Sequence, residues 1–211
     1  MLRYERKYKI EGVDLSTVFQ TIRNHPASLS QIYPDRQINN IYYDTMGLTT
    51  YKENVMGIAE RKKFRVRWYG YDPLVVKSPQ LEIKLRKNEV GDKIIHPVEP
   101  FELDNLRGLT KQVNQLVPPN YLQPVLQNSY KRAYFGTTDK KFRVTVDWEL
   151  SYGGLFNQPQ FRKHDFREKN VIILELKYDR DLEKEASRIS QYFPFRRTKN
   201  SKYVTGVEYC W

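Results

Sequence analysis

The sequence predicts an α+β fold dominated by antiparallel strands with helices packed outside, and three observations predict it. Charged and apolar residues alternate one by one in segment after segment, the period-2 signature of strands with two unlike faces. About eight segments carry the pattern or a strand-like composition. Between and after them lie stretches of helical spacing with recognisable starts and stops. No repeat, low-complexity tract or linker divides the 211 residues, so a single domain over residues 1–211 is expected, long enough to bury a core.

The elements follow in order. "LRYERKYKI" sets Arg3, Glu5, Lys7 and Lys9 on one face and Tyr4, Arg6, Tyr8 and Ile10 on the other. A helix capped by Asp14 or Ser16 runs to about Asn24, a strand covers Gln37 to Tyr43, and a second helix follows Thr45 through Leu48 and Tyr51. "ERKKFRVRWYG" places Arg61, Lys63, Arg65 and Arg67 opposite Phe64, Val66 and Trp68, with Lys62 on the apolar side. "LEIKLRKNE" opposes Glu82, Lys84 and Arg86 to Leu81, Ile83 and Leu85; a strand follows at Lys93 to Val98, then a helix from Leu103 to Leu116 ended by "PP". In "NSYKRAYF", Asn128, Tyr130 and Arg132 share a face. "FRVTVDWEL" opposes Arg143, Thr145, Asp147 and Glu149 to Phe142, Val144, Val146 and Trp148. Alternation fails in Gln160 to Glu168 and returns in "VIILELKY", with Glu175 and Lys177 against Ile172, Leu174, Leu176 and Tyr178. Leu182 to Tyr192 reads as a helix ended by Pro194, while "NSKYVTGVEY" fits helix and strand equally.

Composition bounds the function. A formal net charge of +11 predicts a polyanionic partner without choosing among nucleic acid, anionic membrane and phosphate compounds. Cys210 is the sole cysteine, so no internal disulfide forms and a reducing compartment is expected. The start "MLRYERKYKI" has no apolar signal core and no apolar run reaches membrane-spanning length, which reads as soluble and cytoplasmic. There is no P-loop, and His25, His96 and His164 show no metal-ligand spacing. Basic strands with aromatics suit nucleic acid, yet no RNP-like motif occurs and carboxylates share the basic faces, so no nucleic-acid partner is expected.

The cationic stripes pose a physical question. Like charges two residues apart on a strand lie about 7 Å apart, which costs roughly 0.6 kcal/mol in water and about 2.4 at an effective dielectric of 20. A solvated stripe is cheap; an enclosed one demands anions. Helices over the apolar faces would turn the charged faces into a barrel interior, and an apolar sandwich would turn them out to solvent. Periodicity does not say which face is inside.

The motifs "RYERKY", "YYDT", "RVRWYG", "LEIK", "SYKRAYF", "RVTVD", "LELKY" and "SKY" occur in the order seen in the catalytic domain of vacuolar transporter chaperone (VTC) proteins, which the chain resembles from Arg3 to about Gly206. That domain is a triphosphate tunnel metalloenzyme. The resemblance implies an eight-stranded antiparallel β-barrel tunnel with helices outside, a divalent metal, Mn²⁺ or Mg²⁺, and chemistry on the phosphate chain of ATP or polyphosphate. It matches Lys7, Arg65, Arg67, Lys84 and Arg132 to basic residues that hold phosphates, Tyr130 to a phosphate-contacting tyrosine, and Ser201 and Lys202 to a Ser-Lys pair at the tunnel mouth. Arg65, Arg67, Arg132 and Lys202 are the expected catalytic set. Arg143 and Lys177, on the charged stripes of their strands, join the phosphate-binding set. Glu175 matches the metal-binding glutamate, with Glu5 a second candidate ligand or else a counter-ion for Arg3 and Lys7. Glu82, Asp147 and Glu149 carry the same ambiguity. CYTH-type triphosphatases begin with Glu-x-Glu-x-Lys, whereas Arg3 holds the first of those positions here, so the resemblance is to the polyphosphate-making branch. The implied activity is transfer of the terminal phosphoryl group of ATP to polyphosphate; the alternatives are triphosphate hydrolysis and a non-catalytic polyphosphate-binding module. Members of that branch work beside membrane proteins, which makes such a protein an expected partner.

Overall fold

The computed structural model describes residues 3–71, 74–87, 90–117, 121–156 and 166–211. In chain order the elements are β1 (Arg3–Glu11), α1 (Leu15–Arg23), β2 (Ser30–Asp44), α2 (Thr49–Val55), β3 (Glu60–Tyr69), β4 (Val75–Val76), β5 (Gln80–Lys87), β6 (Val90–Pro97), β7 (Phe101–Glu102), α3 (Leu106–Leu116), β8 (Gln123–Gly136), β9 (Arg143–Gly154), β10 (Phe166–Arg167), β11 (Val171–Asp179), α4 (Glu183–Ser190), β12 (Arg197–Thr198) and α5 (Lys202–Cys210). Among the described residues eight strands are eight residues or longer, and they coincide with the segments expected from sequence. The "PP" expected to end α3, His164 and most of the Gln160 to Glu168 segment lie outside the described residues.

The chain forms two compact units. The first comprises Met1–Arg36, Tyr130–Leu150 and Glu168–Asn200; the second comprises Gln37–Ser129, Ser151–Arg167 and Ser201–Trp211. Three strands, β2, β8 and β9, begin in one and end in the other.

In the first unit β11 pairs antiparallel with β1 and with β9. The register aligns Tyr8, Leu174 and Val146 in one row and Ile10 with Ile172 in another, and this apolar face packs against Val18 and Ile22 of α1 and Ala186 and Ile189 of α4. Arg6 belongs to the same face, opposite Leu176. Its guanidinium crosses the layer to α4, donating to the Tyr178 hydroxyl at 2.9 Å, to Ser190 Oγ at 2.5 Å, to Ser187 Oγ at 2.8 Å and to the Glu183 carboxylate. Arg6→Met is therefore expected to lower the unfolding free energy by about 1–3 kcal/mol in a urea titration, through lost helix anchoring rather than lost volume.

The second unit repeats the scheme with a different helix. β6, β5, β3 and β2 are adjacent in that order, all antiparallel. Their apolar face carries Ile41, Tyr43, Phe64, Val66, Trp68, Leu81 and Ile83, and α3 covers it with Leu106, Leu109 and Val113. Helices lie over the apolar faces in both units, the first of the two arrangements that periodicity left open.

The ambiguous C-terminal segment is helix α5, capped by Ser201, whose Oγ accepts from Val204 N. Gly206 lets it approach β8 and β9 closely: a Cβ there would meet Leu126 Cδ2 at 2.5 Å and Tyr152 Cδ1 at 2.6 Å. Sequence placed the start of β2 at Gln37, yet the strand begins at Ser30, because Pro34 is tolerated in an exposed stretch that shows no alternation.

Candidate functional site

On the face away from α3, the second unit gathers Arg65, Arg67, Lys84, Lys63 and Lys93 around one acid. Arg65 lies opposite Glu82 across β3 and β5, and Lys63, Lys84 and Lys93 form a cross-strand row one step along. Glu82 Oε2 accepts from Arg65 Nε at 2.7 Å and lies 2.5 Å from its Nη2 and 3.6 Å from Arg67 Nη1, while Oε1 accepts from Lys93 Nζ at 2.8 Å. Arg67 Nε donates to Asn40 Oδ1 at 2.8 Å, and Asn40 donates onward to Asn128 Oδ1 at 2.8 Å. Glu82 is 2% exposed and Arg67 6%. Burial pushes the Glu82 carboxyl up, but Arg65, Arg67 and Lys93 outweigh it and hold the group far below the usual carboxylate range. A depressed carboxyl stabilises the fold above about pH 4.3, its value in the unfolded chain, and that stability is lost only as pH falls towards the folded value.

Ser201 and Lys202 belong to this unit. Lys63 Nζ donates to Ser201 Oγ at 2.7 Å, and Lys202, at the first turn of α5, is buried. The next residue fixes them: Tyr203 donates to Asp44 Oδ2 at 2.5 Å and stacks on Tyr42 at 5.1 Å between ring centroids. Asp44 also accepts from the backbone N–H of Thr45, Thr50 and Tyr51, tying α2 to the same carboxylate. Burial, then Asp44, pushes the Tyr203 phenol far up, so it stays a donor. Asp44, Asn40 and Tyr203 were absent from the sequence-derived site; the only signal was their membership of "YYDT", the preceding strand and "SKY". Arg61, at the end of the stripe, donates to Asn54 Oδ1 at 3.1 Å and fastens β3 to the end of α2.

The first unit holds the remaining residues on β1, β8, β9 and β11. Lys7 is opposite Glu175, and Lys177 is opposite both Glu5 and Arg143. Lys7 Nζ lies 3.4 Å from Glu175 Oε1 and 3.6 Å from Glu5 Oε2, and Lys177 Nζ lies 3.0 Å from Glu175 Oε2. Arg132 grips Asp147 by two bonds, Nε to Oδ1 at 2.5 Å and Nη2 to Oδ2 at 2.6 Å, and its Nη2 is 3.9 Å from Glu175 Oε2. Its guanidinium carbon sits 5.3 Å from the ring centroid of Tyr130, which is buried. Burial would lower the Arg132 pKa, but Asp147, with Tyr130 and Glu175, raises it well above the ordinary value. Arg143 is exposed at the strand end. Asp147 is thus a counter-ion of Arg132, and Glu149 an outward partner of Lys131 at 2.8 Å.

The donor chemistry for a divalent metal fits Glu175 and Glu5. An ammonium held between their two carboxylates shows that the pair accommodates a positive centre. Hard oxygen donors suit Mg²⁺ or Mn²⁺, which take one or two carboxylates beside phosphate and water. Among the described residues no group of three or more His, Cys, Asp or Glu is arranged to hold an ion.

Many solved structures share the fold, three of them as follows. A Vibrio parahaemolyticus protein described as a candidate adenylate cyclase matches with TM-score 0.56 at 13% identity, over 96% of this chain and 97% of that one. The PH1819 protein of Pyrococcus horikoshii OT3 matches with TM-score 0.56 at 12% identity, over 97% and 96%. HpAC1 of Hippeastrum, a candidate adenylyl cyclase described as having a dominant triphosphatase activity, matches with TM-score 0.54 at 11% identity, over 100% and 97%. None of the curated protein sequences matches the chain. Long antiparallel strands with helices on their apolar faces and buried arginines and carboxylates on the others define the class, an α+β fold that these solved structures share. Within it the chain belongs to the VTC domain family, whose model matches residues 2–211.

Proposed function

We propose that this chain is a metal-dependent phosphotransferase that moves the terminal phosphoryl group of ATP onto a growing inorganic polyphosphate chain. The observation that carries the reading is the buried arginines of each unit, Arg67 with Arg65 beside it in the second and Arg132 in the first, held in place by carboxylates and amides on strand faces of a VTC domain. A single domain over residues 1–211 is part of the proposal, and the family model that spans residues 2–211 supports it.

Phosphoryl transfer asks for position and charge neutralisation more than for a protein nucleophile. Arg65 and Arg67 present guanidinium forks that match phosphate oxygens, and Lys84 with Lys63 adds point charges one row along. Arg132, stiffened by Asp147 and Tyr130, Lys7, Lys177 and Arg143 supply the same service in the first unit. Lys202 and Ser201 add an ammonium and a hydroxyl at the start of α5. A divalent ion held by Glu175 and Glu5 would neutralise charge on the phosphate oxygens. Hydrolysis is the second reading, favoured by the triphosphatase activity described for the Hippeastrum structure. Water and a phosphate acceptor share the same donor site.

Incubation with ATP and Mn²⁺ separates the readings: long polyphosphate supports transfer, free phosphate alone supports hydrolysis, and neither product leaves a binding module. Glu175→Gln keeps the side-chain volume and removes one charge, so metal-dependent turnover is expected to vanish while the circular dichroism spectrum is unchanged. Retained metal dependence would move the site to Glu5. No helix among the described residues is long and apolar enough to cross a membrane. Work in the cytoplasm beside a membrane protein is part of the proposal.

A further inference from the structure

The charged stripe of β5 carries a single acid, Glu82, and three cations from the two neighbouring strands converge on it: Arg65 and Arg67 of β3 at Oε2, Lys93 of β6 at Oε1. The local sum is two positive charges around a carboxylate that is 2% exposed. Both of its oxygens are engaged by the donors that would otherwise meet phosphate oxygens, and carboxylate and phosphate compete for a guanidinium with the same fork geometry. We propose that Glu82 is a resident competitor for phosphate. It sets the standing affinity of Arg65, Arg67 and Lys93 low enough for a phosphate chain to advance and for product to leave. The inference rests on the phosphate-chain reading above and adds to it a residue that governs how tightly the substrate is held.

The physics gives the role its sign. Buried guanidiniums need a counter-ion when no substrate is present, and Glu82 provides one. The surrounding cations keep it ionised at neutral pH, so protonation does not remove it as a rival. A phosphate chain must either displace it or bind beside its charge, and both subtract from affinity. A site gains no turnover from holding ground state and transition state more tightly alike. For a polymer that shifts by one phosphate per cycle, a tighter grip slows the shift. A purely structural Glu82 would act in the opposite sense: its loss would loosen Arg65 and Arg67 and weaken binding.

The test is titration calorimetry of the full chain with tripolyphosphate at 0.15 M salt, on wild type, E82Q and E82D. E82Q is expected to bind roughly tenfold tighter, with a steeper salt dependence. Its KM for ATP should fall together with kcat. E82D keeps the charge but withdraws it by one methylene, and is expected to fall between the two. Thermal unfolding with and without tripolyphosphate identifies which variants fold; should E82Q fail, E82D carries the test. Equal or weaker binding by a folded variant would overturn the inference. A wild type that ignores tripolyphosphate would overturn the phosphate-chain reading itself, an outcome read before any substitution is made.

Discussion

Replacing Arg65 and Arg67 together with lysine is expected to cut turnover of ATP by roughly a hundredfold or more, the scale on which preorganised donors to a reacting oxyanion act. Both variants keep their positive charge, so the loss measures geometry: an ammonium is a point charge without the planar fork. Arg67 is held by Asn40 and Glu82, and Arg65 by Glu82 and the Tyr42 hydroxyl at 3.4 Å, so each fork has a fixed aim that a lysine would not inherit. Lys62 precedes them on the same strand and is exposed, its position opposite Leu85 on the apolar side of the strand. Lys62→Gln is expected to leave the rate within about twofold, as for a side chain that snorkels to water. Initial rates at saturating ATP and Mn²⁺ make the comparison. Equal tolerance at 62, 65 and 67 would mean that the stripe serves solvent rather than substrate.

Removal of Asp147 is expected to be the most damaging single change to stability. Asp147 is fully buried and Arg132 nearly so. Asp147→Ala leaves a guanidinium enclosed with only the more distant Glu175 for charge compensation, at a cost of about 3–5 kcal/mol. The double replacement Arg132→Met with Asp147→Leu should recover most of that stability, since an apolar pair of similar volume needs no counter-ion, while turnover remains lost. Denaturant titration and the ATP assay read the two effects separately. A loss below about 1 kcal/mol in the single variant would show that water reaches the pair.

Strand faces were the most legible feature of this sequence. In β3, β5 and β11 the alternation of charge with Val, Ile, Leu or Phe assigns the side chains to their observed faces, and in β9 it does so as far as Asp147, after which the positive φ of Glu149 turns that acid outward to Lys131. What covers each face was not legible, since periodicity is symmetric between inside and outside. Arg6 shows why even a clean stripe misleads: it obeys the alternation and lies on the apolar face, yet its partners are Glu183, Ser187 and Ser190, more than 170 positions away. Glu82 and Asp147 were visible as acids among cations, but whether an acid binds a metal or a guanidinium is decided by cross-strand register, which a single strand does not encode. The helix α5 was unreadable for a local reason. Val204, Thr205 and Val207 favour strand, and the Ser201 cap and close contact at Gly206 decide for helix.

Each unit is assembled from three separated stretches of chain, and the chain passes between the units five times. Three of those passages occur inside the continuous strands β2, β8 and β9. Neither unit is therefore a cassette. No single cut of the polypeptide yields either one, and a truncation that removes α5 takes the Asp44 anchor partner Tyr203 together with Ser201 and Lys202. A gene fragment encoding half the chain would specify neither cluster in full. Gain or loss of this domain in a larger protein is consequently all or nothing, with foreign sequence admitted at loop tips and excluded from the strands that both units share.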